Sequence, residues 1–376
     1  MTVERLQILH GLSNINAGEW NKLAGDQPFL RYEFLYNLER SGCVTKETGW
    51  DPHHLTLWRN DSLIAAMPLY LKHHSYGEYI FDWGWAEAYH RNGLNYYPKL
   101  LSAIPFTPVT GPRLLSQEEG SRARLADAAL ELARELNASS VHILYPTESQ
   151  AAELGFGNFL QRDSTQFHWH NHGYRDFDDF LSAMSHDKRK KIKQERRKVK
   201  EKGIHIECLE GADISENDWR FFNRCYRTTY RQHASSPYLN FDFFLSLGRD
   251  LPHHLVMFKA IANGKPIAAA LNLKGAGRLF GRYWGADDYV PGLHFETCYY
   301  QGIEYCIEQG IDVFEGGVQG EHKLARGLMP IKTHSSHWLA HPQFSTAIAD
   351  YLARESDGVQ RYINELNDMT PFKACR

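Results

Sequence analysis

The sequence predicts an α+β fold: a mixed α/β sheet, mostly antiparallel, flanked by helices and repeated in two domains. Three observations predict it. The chain has 376 residues, more than one ordinary core organises. Short apolar runs bounded by turn residues alternate with helical stripes along its length. The two halves echo each other about 200 residues apart.

Composition narrows the class. A hydrophobic content of 43% and an aromatic content of 13% support full-sized cores. A net charge of -3 carries no global nucleic-acid or membrane signature, so any basic surface is local. The first residues hold no apolar run of signal type, and no stretch reaches the roughly 18 apolar residues of a membrane helix. The cysteines, Cys43, Cys208, Cys225, Cys298, Cys306 and Cys375, form no CxxC and read as reduced thiols. A cytoplasmic protein is expected.

The elements follow in order. Residues 29–40 are helical, with Pro28 near the first turn. Residues 54–58 and 63–72 are strands joined at Arg59-Asn60-Asp61. Residues 79–85 read as a third, aromatic strand. The next stretch carries Pro105, Pro108 and Pro112 and reads as loop with an edge or irregular strand. Residues 117–137 are an amphipathic helix, with Leu125, Ala128, Ala129, Leu132, Ala133 and Leu136 on one face. Residues 141–145 and 165–169 are strands. A boundary near 165/166 divides the chain into domains 1–165 and 166–376.

The second domain opens on a basic helix, residues 187–202, with ten Lys or Arg against three Asp or Glu. Only Ile192 and Val199 are apolar there, so one thin stripe touches protein, and Gly203 closes the helix. It reads either as a solvated connector or as an anion-facing surface for a phosphate-rich substrate. Strand 204–209, helices 215–232 and 241–247, and strands 254–262 and 266–274 follow. Asn263-Gly264 between the last two is a strong hairpin signal. Strand 278–285, helix 294–309, strands 311–315 and 332–339 and a final helix 344–367 complete the chain.

The repeat rests on four matches. His54-Leu55 matches His254-Leu255, IAAMPLYLK at 64–72 matches IAAALNLK at 267–274, WGWAEAY at 83–89 resembles YWGADDY at 283–289, and Tyr96-Tyr97 recurs as Tyr299-Tyr300. The first copy has few titratable groups in FTPVTGPRLL, whereas the second is dense in them between 295 and 327. Chemistry is therefore expected in the second domain, the first shaping a cleft.

Four stretches carry a resemblance: FTPVTGPRLL at 106–115, QFHWHNHGYRDFDDFLS at 166–182, KRKKIKQERRKV at 188–199 and EGGVQGEHKLARGLMP at 315–330. In them the chain resembles the predicted N-acyltransferases of bacteria known as FemAB-like, peptidoglycan biosynthesis/recognition, within the GNAT acyltransferase superfamily. The resemblance implies two tandem GNAT-like domains in a Fem-type arrangement, the first degenerate and the second catalytic. Fem-type enzymes move an amino acid from aminoacyl-tRNA to a peptidoglycan precursor, and the basic helix resembles the segment opening their second domain. The GNAT pyrophosphate loop, R/Q-x-x-G-x-G/A, is reduced here to Gly292 within DDYVPGLHFETCYY. Acyl-CoA and aminoacyl-tRNA thus stand as alternative donors.

Amine acylation needs a neutral amine, a stabilised oxyanion and a protonated leaving group. Glu315 at a strand end is the first candidate for general base and Glu296 the second. Tyr283 or Tyr299 protonates the leaving group, and His322 donates to the oxyanion. Lys323 and Arg326 suit a phosphate or carboxylate, with a structural ion pair to Glu321 as the plainer reading. Gln319, Glu321, Tyr300, Trp284, Lys188 and Arg189 complete the expected substrate contacts. The histidines at 168, 170, 172, 337 and 341 lack a carboxylate at ligand spacing, and no metal is expected. The expected partners are a small-molecule amine acceptor and, through the basic helix, tRNA or a nucleotide-linked precursor. A second reading stays open, a non-catalytic binding module of this fold that recognises a peptidoglycan-type or nucleotide-linked ligand.

Overall fold

A computed structural model describes residues 4–317 and 320–373. In chain order the first elements are β1 (Glu4–Leu9), α1 (Ala17–Ala24), α2 (Tyr32–Arg40), β2 (Trp50–Pro52), β3 (His54–Arg59), β4 (Ser62–Met67) and β5 (Tyr70–Lys72). Then come α3 (Trp83–Arg91), β6 (Lys99–Ser102), α4 (Glu119–Glu135), β7 (Ser140–Leu144), α5 (Glu148–Gly155) and β8 (Leu160–His170). The next run is α6 (Phe177–Ala183), α7 (His186–Glu201), β9 (Ile204–Glu210), α8 (Glu216–Gln232) and α9 (Phe241–Asp250). It continues with β10 (Leu255–Ala262), β11 (Lys265–Gly275), β12 (Arg278–Ala286) and α10 (Leu293–Phe295). A π-helical turn (Glu296–Tyr300) joins α10 to α11 (Gln301–Gln309), and β13 (Val313–Glu315), β14 (Met329–Leu339) and α12 (Pro342–Asp368) follow. Among the described residues no helix is long and apolar enough to cross a membrane.

Two compact units result. The first is Met1–Ser164 with Lys332–Gln360, the second Thr165–Ile331 with Arg361–Arg376. Residues 332–360 thus belong with the N-terminal half, which a single cut near 165 does not capture. β14 supplies the reason: it pairs with β7, His337 opposite His142, and so carries the chain back into the first sheet.

The first unit holds the strand order β2-β5-β6-β7-β14, antiparallel except for the parallel pair β6–β7, and a small sheet β1-β3-β4. The stripe of α4 covers it: Leu125, Ala128, Ala129, Leu132 and Ala133 pack with Leu55, Leu57, Met67, Leu100, Val141 and Ile143. Four expectations fail locally. The run 63–72 is two strands, because Pro68 has no N–H to give a ladder. Residues 79–85 are a turn entering α3, whose Trp85 and Tyr89 are buried four residues apart. The proline-rich stretch contains β6, which is fully buried between β5 and β7 rather than an edge. Pro28 lies outside α2, which starts at Tyr32.

The second unit holds the order β8-β13-β12-β11-β10-β9, again with one parallel pair, β12–β13. Asn263 and Gly264 both take positive φ, 50° and 71°, the geometry that closes the β10–β11 hairpin. On one face Phe314, Leu279, Phe258, Tyr300, Ile303 and Phe180 form the core. Helix α8 lies against β12 so closely that a Cβ at Gly285 would sit 2.2 Å from the Cys225 carbonyl carbon. Helix α7 buries only Ile192 and Val199, as its composition predicts.

The internal repeat recurs in part. β3–β4 and β10–β11 are both hairpins turning on an asparagine of positive φ, Asn60 and Asn263. The other matches fall in unlike structure. WGWAEAY is helix α3, while YWGADDY is the end of β12; Tyr96-Tyr97 precedes β6, while Tyr299-Tyr300 lies in the π turn.

Candidate active site

β12 and β13 share three register pairs, Arg278 with Val313, Leu279 with Phe314 and Phe280 with Glu315. There β13 ends, while β12 runs on to Ala286. At the same point β12 is bulged: Asn272 faces Gly281 and Leu271 faces Tyr283, leaving Arg282 unmatched. A bulge bends its strand and increases the twist. Among the described residues no strand pairs with β12 on its β13 side beyond Phe280, and a cavity of about 110 Å³ occupies the gap. Arg282, Trp284, His294, Cys298, Tyr299 and Gly316 are among its walls. Trp284 and His294 also line a second cavity of about 440 Å³, with Asp288, Tyr289 and Leu293.

Glu315 sits on the opposite face. Phe314 lines the small cavity, and strand alternation turns Glu315 the other way. Its Oε1 accepts from Arg278 Nη1 at 2.8 Å, and its buried Oε2 has no hydrogen-bond partner. Burial pushes the carboxyl up to about 7, against the opposing pull of Arg278 and then Arg282. His168 Nε2 lies 3.8 Å away, but burial holds that imidazole near 3, so it carries no charge to pair with Glu315. Arg282 links the two faces: it borders the cavity and acts on the Glu315 charge.

Beside the cavity stand Tyr299, His322 and Lys323. Tyr299 Oη lies 3.1 Å from His322 Nε2. Burial pushes the Tyr299 hydroxyl up and the His322 imidazole down, so both are neutral near pH 7. Lys323 is buried in the 3-10 turn Glu321–Arg326 and donates to the Gly317 carbonyl at 3.1 Å. Burial lowers its ammonium to about 8. Cys298, also a wall residue, is a free thiol pushed up by burial.

The other expected residues are placed as follows. Arg326 does not pair with Glu321; its Nη2 meets both oxygens of Glu195, at 3.0 and 2.9 Å, and its guanidinium lies 3.4 Å over the Phe295 ring. Tyr300 donates to the same Glu195. Glu321 accepts from Tyr362 Oη at 2.9 Å. Glu296 is 3.0 Å from Arg196, which also holds Glu304, so this carboxylate fastens α7 to the helix carrying the site. Tyr283 packs edge-on against Tyr226 and Phe244, and its buried hydroxyl has no hydrogen-bond partner. Lys188 and Arg189 lie on the first turns of α7; Arg189 lines a groove of about 420 Å³ with Lys190, Lys193 and Arg197. Gln319, like Cys375, lies outside the described residues.

His294 escaped the sequence reading. Gly292, at φ 86°, turns the chain into α10 and sets His294 on its first turn, between the two cavities. Burial lowers its imidazole to about 4, so it is neutral. Only its place after a strand and a glycine marked it. The first unit also holds a polar nest the sequence did not announce. Lys99 Nζ donates to Glu78 at 2.7 Å and to Ser75 at 2.8 Å, and it pairs with Asp82. His142 and His337 meet there, Nδ1 to Nδ1, at 2.6 Å. Among the described residues no three His, Cys, Asp or Glu are grouped to hold a metal ion.

A model of the FemAB-like family, described as peptidoglycan biosynthesis/recognition, matches residues 11–374. No curated protein matches the sequence. Among solved structures the chain is similar to FemX, at 11% identity and TM-score 0.56, over 91% of this chain and 100% of that one. It is similar to the C-terminal domain of a putative lysylphosphatidylglycerol synthetase from Agrobacterium fabrum, at 10% identity and TM-score 0.54, over 89% and 95%. A conserved protein of unknown function from Bacteroides thetaiotaomicron matches at 10% identity and TM-score 0.52, over 89% and 100%. These likenesses show the fold: the mixed α/β, Fem-type architecture expected from sequence is the one observed.

Proposed function

We propose, from the premise that the chain belongs to the FemAB-like family, that it is an N-acyltransferase acting on an amine of a small-molecule or cell-wall-precursor acceptor. The observation that carries this reading is Glu315. A buried carboxyl held near 7, with one unpartnered oxygen, stands where two strands part around a cavity. A base is most effective when its pKa is near the working pH. His294 is better placed in the cavity wall, but at about 4 it binds a proton far more weakly, and its part is to orient the substrate.

The step needs no covalent enzyme intermediate. The donor is an activated ester or thioester seated in the small cavity. The neutral amine attacks its carbonyl carbon, the C–N bond forms, and negative charge gathers on the oxygen. The Lys323 ammonium stabilises that charge in a poorly solvated place. Glu315, which faces away from the cavity, takes the amine proton through an intervening water at the gap beyond Phe280. The bond to the leaving group then breaks, and the Tyr299 hydroxyl, relayed by His322, supplies its proton. The Cys298 thiol stays protonated and does not compete as a nucleophile. The cationic groove of α7 supports a phosphate-bearing partner, tRNA or a nucleotide-linked precursor.

The test is a mass-spectrometric search for a new amide when the protein meets activated acyl donors and amine-bearing peptidoglycan precursors. Amide formation by the wild type and its loss in Glu315→Gln are expected. No amide with any donor would overturn the transferase reading.

A further inference from the structure

Helix α7 has two faces. The outer one carries Arg189, Lys190, Lys193 and Arg197 along the cationic groove. At 3.6 residues per turn Ile192, Glu195, Arg196 and Val199 fall on the other side, and Ile192 and Val199 are buried there. Glu195 is the one acidic residue in the run 188–199, among eight Lys or Arg. Its side chain is turned inward and only 18% exposed.

That carboxylate joins two turns of the site. Arg326 Nη2 donates to both of its oxygens, at 3.0 and 2.9 Å, and Tyr300 Oη donates to one of them. Arg326 Nη1 also donates to the His322 carbonyl at 2.7 Å, which fastens the 3-10 turn carrying His322 and Lys323. Tyr300 follows Tyr299 in the π turn, and Tyr299 meets His322 across the same junction. The turn before His294 rests on the helix as well: a Cβ at Gly292 would lie 3.9 Å from the Glu195 carbonyl oxygen. The Arg326 charge acts on both Tyr299 and His322, and the carboxylate beside it offsets that field.

We infer that Glu195 is a positioning residue for acyl transfer, holding the Lys323 ammonium and the Tyr299–His322 pair in one arrangement through Arg326 and Tyr300. The inference rests on the acyltransferase reading and adds a residue to it.

The experiment compares Glu195→Gln and Glu195→Asp with the wild type in the full chain. Glu304→Gln is the control, since it loosens α7 at Arg196 instead. The first readout needs no substrate. The His322 imidazole resonance, assigned with His322→Gln, is expected to shift in Glu195→Gln and to stay in place in Glu304→Gln. The second readout is turnover, with the donor and acceptor that form an amide in the wild type. In Glu195→Gln kcat is expected to fall about 10- to 100-fold while KM stays within about threefold. Glu195→Asp keeps the charge and draws it back by one methylene, so its kcat is expected to lie between the two; it decides the test if Glu195→Gln does not fold. An unmoved His322 resonance, a raised KM at unchanged kcat, or equal losses in Glu195→Gln and Glu304→Gln overturns this inference and leaves the transferase reading intact. No amide from any donor in the wild type overturns both.

Discussion

Arg278 Nη1 and Glu315 Oε1 lie 2.8 Å apart, on neighbouring strands that share no register pair beyond Phe280 and Glu315. The pair secures the last point at which β12 and β13 are joined. Arg278 is two-fifths exposed and Glu315 almost wholly buried, so the carboxylate bears most of the desolvation.

That asymmetry gives a stability signature. Glu315 titrates near 7 when folded, above its ordinary 4.5, so the folded state holds the proton more tightly. Its favourable contribution is complete below about 4.5 and is lost as pH rises through 7. Glu315→Gln removes this loss. Urea unfolding at pH 5 and pH 8 should show the variant gaining roughly 3 kcal/mol on the wild type between the two. A pH-independent difference would contradict the buried, raised carboxyl.

Cys298 tests the direct transfer. Burial keeps its sulfur as a thiol, so Cys298→Ala should retain kcat within about threefold, and no acyl-enzyme should appear on intact-mass analysis. Loss of turnover with a trapped acyl adduct on the wild type would replace this mechanism with a covalent one.

Lys323 is expected to trade stability for activity. Its ammonium is lowered from 10.5 to about 8 when folded, so at pH 7 the lysine is still charged but at a cost to the fold, stability being lost as pH falls from about 10.5 to 8. Lys323→Met should leave the thermal midpoint at pH 7 unchanged or raised while lowering kcat about 100-fold. A destabilised, active variant would make the lysine purely structural.

Arg326 should behave in the reverse way. It is buried on Glu195 and over Phe295, so Arg326→Ala strands a carboxylate and should cost about 3 kcal/mol in urea unfolding. Glu195→Gln in that background should recover part of the loss. Weakened substrate binding at unchanged stability would return Arg326 to the ligand contacts.

What was legible in the sequence was local. The stripe of α4, the two buried residues of α7 and the Asn263-Gly264 turn depend on spacing within one element. What was hidden depends on partners far along the chain. Pro105, Pro108 and Pro112 made the stretch that holds β6 look like loop or edge, and Glu78, Asp82 and Ser75 around the Lys99 ammonium make its buried lysine tenable. Residues 79–85 looked like a strand because aromatics favour strands; burial of Trp85 and Tyr89 on one helical face decided otherwise. Of the cluster at 315–326, Glu315, His322 and Lys323 stand around the gap beyond Phe280. Arg326 and Glu321 are engaged by Glu195 and Tyr362, neither visible from their neighbours.

The most direct measurement of the central claim is the pH dependence of kcat/KM for amide formation, in the wild type and in Glu315→Gln. The account predicts an acid limb with an apparent pKa near 7 in the wild type, and a rate about 100- to 10,000-fold lower without that limb in the variant. An unchanged profile in Glu315→Gln would contradict Glu315 as the base.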